Sequence, residues 1–491
     1  MSQQVIIIGS GIAGLSAAIR LRTKGYQVDV FEANDFVGGK LSEIRLGDFR
    51  FDAGPSLFTM PQWLNEIYEE AGRKPSDYYT YKRKEVVCTY WWEDGTRFIA
   101  YADADRYGAE AERVFGEPAD RIRTYFQRSA RKFDLTEKVF LQGSLHRWSN
   151  YFNRETARAL LRSWGLGLTN QLHDENARSF QSPHLIQLFD RYATYNGSSP
   201  YLTPGIMSMI PHLEQHYGTF IPEGGMVAIV QGLKRLADEL GVQFHMRERV
   251  TRIVRERSRV VGIETESGSY ACDAVVSNMD VVPTYRKLMP DAVAPEKTLQ
   301  QERSSSALIF YWAIGRSFPE LDLHNIFFTR DYVAEFKHIF ETRTVGEDPT
   351  VYVNIASKDV PADAPAGKEA WFVMVNVPSN TGQDWDAIIA ATRQHVIEKL
   401  SRLLNVDLAS LIEHEALLDP RSIESRTSSF QGALYGSSSN DRFAAFLRHP
   451  NFSKRIGGLY FCGGSSHPGG GIPLCVLSGK IAAELLQQDM S

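Results

Sequence analysis

Gly9, Gly11 and Gly14 stand in the spacing GxGxxG, and Glu32 follows as an acid 18 positions later. That pattern can hold a pyrophosphate and the ribose next to it. Gly9 permits a tight turn and Gly11 lets backbone approach the phosphates. Gly14 lets the next helix pack on the preceding strand. The N–H groups at the helix start, around Ala13, would face the phosphates with the positive end of the helix dipole. Glu32 can accept hydrogen bonds from ribose hydroxyls. The alternative is a tight glycine turn in a Rossmann-like domain that binds nothing. Gly38, Gly39 and Lys40 form a second cluster, which adds N–H groups and a cation close to the same phosphates. An ordinary Gly-Gly turn is the plainer reading there. A third cluster is distant in sequence: Gly463-Gly464-Ser465-Ser466-His467-Pro468-Gly469-Gly470-Gly471-Ile472. No acid follows it, so it suits the second half of one site rather than a second nucleotide. His467 in this loop is either a general base or a structural donor.

The elements around these residues give the clusters their context. Val5 to Ile8 is an apolar β-branched run that reads as a buried strand. A helix follows over Leu15 to Arg22, then a strand over Val28 to Phe31 that ends on Glu32. Leu459 to Cys462 and Val476 to Gln487 repeat strand, glycine loop and helix at the other end. Mid-chain, a helix from Val227 leads to a strand at Gln243 to Met246. Hairpin strands follow near Val250 and Val260, and a strand re-enters the sheet before Asn278. Gly165 and Gly167 lack a third glycine, so a second nucleotide site is not expected. His212 and His216 could share a helix face, but without a third ligand or an HExxH order no metal is expected.

Composition narrows the classes. The net charge is −5 over 491 residues, which argues against a nucleic-acid partner. Its 43% apolar content supports a large core, yet no run approaches the ~18 apolar residues that span a bilayer. The four cysteines are far apart with no CxxC, as in a reducing cytoplasm. The N-terminus runs straight into a strand, so no signal peptide is expected.

The pattern GxGxxG, Glu32, Gly38-Gly39-Lys40 and Phe51-Asp52-Ala53-Gly54-Pro55-Ser56 resembles the FAD-dependent amine oxidase and phytoene desaturase superfamily. The run from Gly463 through the helix after Ile472 is similar to the C-terminal signature of carotenoid desaturases. The resemblance covers essentially the whole chain. It implies FAD, held in an α/β, Rossmann-like, glutathione-reductase-like lobe built from discontinuous segments. Lys40 would then lie near the phosphates, and Gly54, Pro55 and Ser56 near the flavin ring. Val250 would lie by the adenine, Asn278 beside the cofactor, and Leu434, in Gly432 to Gly436, at the flavin side. Gly463, Gly464, Gly471 and Ile472 would meet the ribityl and pyrophosphate portion. The lobe is expected from residues 1–75, 215–300 and 437–491, with an α+β substrate lobe from 76–214 and 301–436.

Within the family, the runs Glu32 to Gln62 and His467 to Leu474 resemble the bacterial 1-hydroxycarotenoid 3,4-desaturase type. The implied reaction is desaturation of an acyclic carotenoid by hydride transfer to flavin. Phytoene desaturation is the alternative; that type more often has alanine at the position of Gly470. From other classes, a flavin amine oxidase or a flavin-free escort protein of the same fold remain open. With one dinucleotide fold, electrons should leave to oxygen or a quinone. The cation left on a conjugated chain needs little help to lose its proton, so no strong base is expected.

The substrate lobe is rich in aromatics, such as Tyr78, Tyr90, Trp91, Trp92, Phe310, Tyr311 and Trp312. They could form core or line an apolar tunnel. Arg191 to Gly197 could line a site or divide between core and turn. Over 145–168, apolar residues fall at helical spacing with Arg154, Arg158 and Arg162 beside them. This segment is either a core-packed helix or a membrane-association helix, and a lipophilic substrate favours the latter. The expected location is cytoplasmic, peripherally bound to the inner face of the cell membrane.

Overall fold

A computed structural model of the chain describes residues 3–141, 143–147, 167, 169–441 and 448–491. The segment 145–168 therefore lies almost wholly outside the described residues. Among the described residues, no helix is long and apolar enough to cross a membrane.

One sheet has five parallel strands in the order Leu459–Phe461, Ala274–Ser277, Gln4–Ile8, Gln27–Glu32 and Gln243–Met246. The central strand is buried on both faces. Val5 and Ile7 pack with the helix side; Ile6 and Ile8 pack with Phe31, Val250 and Val275 on the other. A continuous apolar run is what a strand between two layers requires. The helices Ile12–Thr23 and Ile472–Met490 lie against each other on the first face. Their backbones meet at Gly479, where an added Cβ would stand 2.4 Å from the Ala13 carbonyl oxygen. Ser16 Oγ donates to the Val476 carbonyl at 2.9 Å across the same contact.

Both helices begin earlier than the periodicity indicates, directly at their glycine loops. Their first turns line a cavity as well as the core, so their apolar residues do not follow a one-sided repeat. The three-stranded antiparallel sheet Val250–Glu256, Arg259–Thr265 and Ser269–Ala271 follows the expected hairpin.

A seven-stranded mixed sheet forms the second layer system, ordered Ile412–Leu418, Ser306–Ile314, Glu369–Val377, Val351–Asn354, His324–Phe327, Val86–Trp91 and Arg97–Tyr101. Along Ser306–Ile314 the faces alternate. Leu308, Phe310 and Trp312 pack with the helix Trp385–Leu404, whereas Ile309 and Tyr311 turn toward Phe51 and Phe372. Of the aromatics singled out from the sequence, Tyr90, Phe310, Tyr311 and Trp312 are fully buried core and Trp92 is buried, while Tyr78 and Trp91 are half-buried at its edge. The Phe51 hairpin, Glu43–Leu46 with Phe49–Asp52, packs on the seven-stranded sheet. Arg50 binds Asp52 and Asp363 at 2.8 and 2.9 Å. Asp52 in turn accepts from the N–H groups of Met226 and Val227, capping the helix Val227–Glu239. The acid of the Phe51-to-Ser56 motif is therefore a brace between segments.

Candidate active site

One large cavity of about 570 Å³ runs from the glycine loops into the face of the seven-stranded sheet. That is within the usual range for a ligand site. The three glycine clusters converge on it although they are far apart in the chain. Gly9, Gly11 and Ala13 line it at the end of the first strand, and Gly39 and Lys40 lie opposite. Gly463, Gly464, Gly471 and Ile472 complete that end. Gly11 and Gly38 pair as an isolated bridge, so the first two loops touch.

Asn278 is the hub of the loops. Its N–H donates to the Ile8 carbonyl at 2.9 Å, and its Nδ2 to the Gly9 carbonyl at 3.4 Å. A Cβ at Gly11 would stand 2.6 Å from Asn278 Nδ2, and one at Gly14 would stand 2.3 Å from the Gly9 oxygen. The Cβ direction at Gly11 thus points into Asn278, so the demand for glycine there comes from protein packing. Gly14 lies beneath the loop rather than on the cavity wall. Gly471 differs: its φ is +101° at the start of the last helix, and nothing lies within 4 Å of its Cβ position.

Glu32 ends the second strand, is 5% exposed, and lines the cavity. Its Oε2 accepts from Ser10 N and Oγ at 2.8 and 2.7 Å. Its Oε1 accepts from Asn34 N and Nδ2 at 2.9 and 2.8 Å. The carboxylate is fixed at the strand end, and a ribose hydroxyl would share it with Ser10 and Asn34. Val250 lies beside it, packed on Ile8 and Phe31.

Lys40 Nζ donates to the Leu434 carbonyl at 2.8 Å. Burial pushes its amine below the ordinary lysine range, partly offset by Cys475 and Asp280. Gly54, Pro55, Ser56 and Leu434 line the same stretch of wall. A Cβ at Gly54 would stand 1.8 Å from the Lys40 carbonyl oxygen, so the two motifs are pressed together through backbone.

His467 is 2% exposed and lines the cavity. Its Nε2 is 2.9 Å from the Gly143 carbonyl oxygen, a contact in which the ring nitrogen donates. Burial holds the ring down to about 4, with His146 adding to the effect. It is therefore a neutral imidazole with one nitrogen already engaged.

Two residues on this wall were missed in the sequence. Arg448 Nη1 donates to the carbonyls of Tyr435 and Gly464, the latter at 3.0 Å. Burial pushes its guanidinium down to about 10, with Arg303 adding to that. Asp280 is half-buried there; burial pushes its carboxyl up, against the pull of Arg303 and Lys40. Asp280 could have been suspected because it stands two positions beyond Asn278. Arg448 carries no local signal, since only the fold brings it to Gly464.

Much of the rest of the cavity is apolar, with Met207, Met209, Ile210, Leu213, Phe372 and Met374 among its lining. Arg191, Thr194, Tyr195 and Asn196 also line it, while Tyr192 and Ala193 are core, so that stretch divides between wall and core. His212 and His216 stack at 4.7 Å, but no group of three potential metal ligands exists among the described residues.

The donor set fits a flavin dinucleotide. It offers a fixed acid at a strand end, open backbone at Gly471, and glycines elsewhere that admit no side chain. Lys40, half-buried, and Arg448, buried, bring two cations to this wall.

Comparison with known proteins agrees. The chain is 53% identical over 484 residues to the 1-hydroxycarotenoid 3,4-desaturase of Flavobacterium sp., covering 99% of both chains. It is 32% identical to the 4,4'-diapolycopene oxygenase of Methylomonas sp., covering 100% of this chain and 99% of the relative. The fold is shared with solved structures. These include a putrescine oxidase (TM-score 0.65, 14% identity, 99% of each chain) and the cyclohexylamine oxidase of Brevibacterium oxydans (TM-score 0.63, 16% identity, 100% of each). The flavin-containing amine oxidoreductase family matches residues 12–487. With that match spanning nearly the whole chain, the protein belongs to the flavin-containing amine oxidoreductases.

Proposed function

We propose that the protein is an FAD-dependent desaturase that introduces a C=C bond into an acyclic, 1-hydroxylated carotenoid. The observation that carries this reading is one continuous cavity, which joins the glycine loops to a long, largely apolar wall. The 53% identity to a 1-hydroxycarotenoid 3,4-desaturase supports the substrate class. Residues 1–75, 215–300 and 437–491 serve as the FAD-binding lobe, and 76–214 with 301–436 as the substrate lobe.

FAD, when bound, supplies a hydride acceptor for oxidising adjacent carbons. The protein's part is to hold and exclude. The N–H groups of Gly11, Ile12 and Ala13 meet the pyrophosphate, and Lys40 adds charge. Glu32 holds the ribose and Val250 packs by the adenine. Gly39, Gly463, Gly464, Gly471 and Ile472 give backbone approach, and Asn278 keeps the loops in register. Gly54, Pro55, Ser56 and Leu434 flank the ring. Met207, Met209, Ile210, Leu213 and Phe372 keep water from the polyene and align it.

Desaturation removes a hydride and a proton from neighbouring carbons. The departing hydride leaves a cation that the conjugated chain spreads, and the adjacent C–H becomes acidic. Water or a weak group suffices for the proton. His467 contributes at most through its second ring nitrogen. The two electrons leave to oxygen or a quinone.

We further propose that 145–168 binds the inner face of the cell membrane, where Arg154, Arg158 and Arg162 meet anionic lipid. Each such residue contributes about 1 kcal/mol near a charged surface. Replacing all three by Glu should release the protein from anionic liposomes without loss of flavin; continued sedimentation would remove this segment as the anchor.

The deciding test is pigment analysis of cells that make acyclic carotenoids with and without the 1-hydroxyl group. A product with one more conjugated double bond from the hydroxylated pool is expected. Desaturation of phytoene instead would shift the reading to that alternative. Unchanged pigments in cells containing yellow, flavin-loaded protein would end it.

A further inference from the structure

A pure hydrocarbon offers nothing to a hydrogen-bond donor, so a wall built only for a polyene would be apolar throughout. This wall is not. Arg191 lines the cavity with its side chain 11% accessible. Its Nη2 donates to Tyr90 Oη at 2.8 Å and lies 4.0 Å from Glu214 Oε1. Its Nε has no hydrogen-bond partner. The guanidinium lies over the rings of Tyr192 and Tyr195, at 4.8 and 5.3 Å. Glu214 is 2% exposed, and its carboxylate accepts from the hydroxyls of Tyr192 and Tyr195.

A second polar chain reaches the same region. Ser56 Oγ is 2.8 Å from Tyr352 Oη, which is 2.7 Å from His324 Nδ1. Asn354 Nδ2 also points to that nitrogen, at 3.2 Å. With Nδ1 accepting, the neutral ring carries its hydrogen on Nε2, and Nε2 has no partner. Burial, with nearby Lys84, holds His324 down to about 3, so the ring is neutral. Ser56, Tyr352 and His324 all line the cavity.

A buried ion pair is weak evidence for stability, because apolar replacements are often neutral or stabilising. Nor do folded proteins commonly leave buried donors unpaired. The Arg191 side chain keeps 11% of its surface accessible on the wall of a largely apolar cavity, and a guanidinium in that place calls for an acceptor on the ligand. Resting on the desaturase reading above, we infer that Arg191 recognises an oxygen at the end of the carotenoid, its 1-hydroxyl group. Glu214 and the tyrosines hold the guanidinium in place.

The position suits the chemistry. In a 1-hydroxylated chain the oxygen is three bonds from carbon 3, within roughly 4–5 Å at about 1.5 Å per bond. Its subsite must therefore stand close to the reacting carbons rather than at the far end of the cavity. The polar chain begins at Ser56, which the proposed function puts beside the flavin ring.

The test is a binding comparison on the purified, flavin-loaded protein, independent of turnover. A 1-hydroxylated acyclic carotenoid and its parent hydrocarbon are titrated in detergent, read by the shift of the carotenoid absorption band. The native protein should prefer the hydroxylated ligand by about tenfold to a hundredfold, the worth of a hydrogen bond to a charged group. The double variant Arg191→Met, Glu214→Gln removes both charges together, so that no buried carboxylate is stranded. It should bring the two affinities within about threefold, chiefly by weakening the hydroxylated ligand. A native protein without preference, or a preference kept by the double variant, overturns the subsite. Turnover measured on the same samples separates the two claims. Selective binding without desaturation of either ligand would refute the desaturase reading and leave the subsite standing.

Discussion

The two ends of the cavity are made of different material. The cofactor end is chiefly backbone: loops at strand ends, glycines that cannot carry a Cβ, and helix starts. The substrate end is chiefly side chains, drawn from Cys88 to Tyr435 and held by packing and hydrogen bonds. A backbone wall has little slack where an added Cβ would meet another main chain, as at Gly14 and Gly54. A side-chain wall can change its residues and keep its shape. The difference teaches why one cofactor can serve several substrates within a fold: loops that hold a dinucleotide tolerate no variation, and the opposite wall sets specificity.

Gly54→Ala tests this most severely. Its Cβ would fall 1.8 Å from the Lys40 carbonyl oxygen, and neither backbone can yield alone. The variant should purify without flavin, read from the absorbance of the yellow protein, and melt well below the native protein. Full flavin content would show that the cofactor wall is as pliable as the substrate wall. Gly11→Val makes a related comparison, since its neighbour at 2.6 Å is the Asn278 side chain. It should also lose flavin, but pairing Gly11→Ala with Asn278→Gly should recover part of it.

Acid should separate the ends by stability. His449 and His467, near the glycine loops, are held down to about 4 by burial, and His324 at the substrate end to about 3. Their unfolded values lie near 6.5, so between there and about 4 the unfolded chain binds more protons. Stability is then complete above about pH 6.5 and falls as pH drops toward 4. Each histidine contributes on the order of 3 kcal/mol to that fall. His449→Gln should flatten the thermal-melting profile over this range; an unchanged slope would show that this ring opens to water before unfolding.

Glu32→Ala should weaken flavin binding by about 1–3 kcal/mol, the cost of unmade charged hydrogen bonds. Titration of flavin into the stripped protein measures it. Because Ser10 and Asn34 also lose their acceptor, Glu32→Gln should recover less than an isosteric change would at an open site. An unchanged affinity would remove Glu32 from the ribose.

The smallest effect is expected at His467, where the two ends meet. A general base supplies about 10²–10⁴-fold in rate. With its Nε2 on the Gly143 carbonyl, His467→Ala should lose less than about a hundredfold in turnover with flavin retained. A larger loss, with a matching change in the pH–rate profile, would make His467 the base.

The glycine spacing, Glu32 and the strand–loop–helix order were legible because they encode local backbone demands. Tight turns, close approach and helix starts depend on residues a few positions apart. The same reasoning gave helix starts three or four residues too late, at Leu15 and Val476, because the first turns face cavity and core together and show no one-sided apolar period. Which aromatics are core and which are wall was not legible. Phe310 and Trp312 point to the helix Trp385–Leu404, yet Tyr352 and Phe372, from neighbouring strands, line the cavity. Alternation along a strand tells two faces apart but not which layer will cover each. Arg448, Asp280 and the partnership of Arg191 with Glu214 came only from the tertiary structure. A buried charge is tolerated where distant segments bring it partners, and no window of sequence contains both. The sequence by itself determined where a dinucleotide can be held, since that is written in backbone; the tertiary structure decided what lies across from it, since that is written in side chains that meet only after folding.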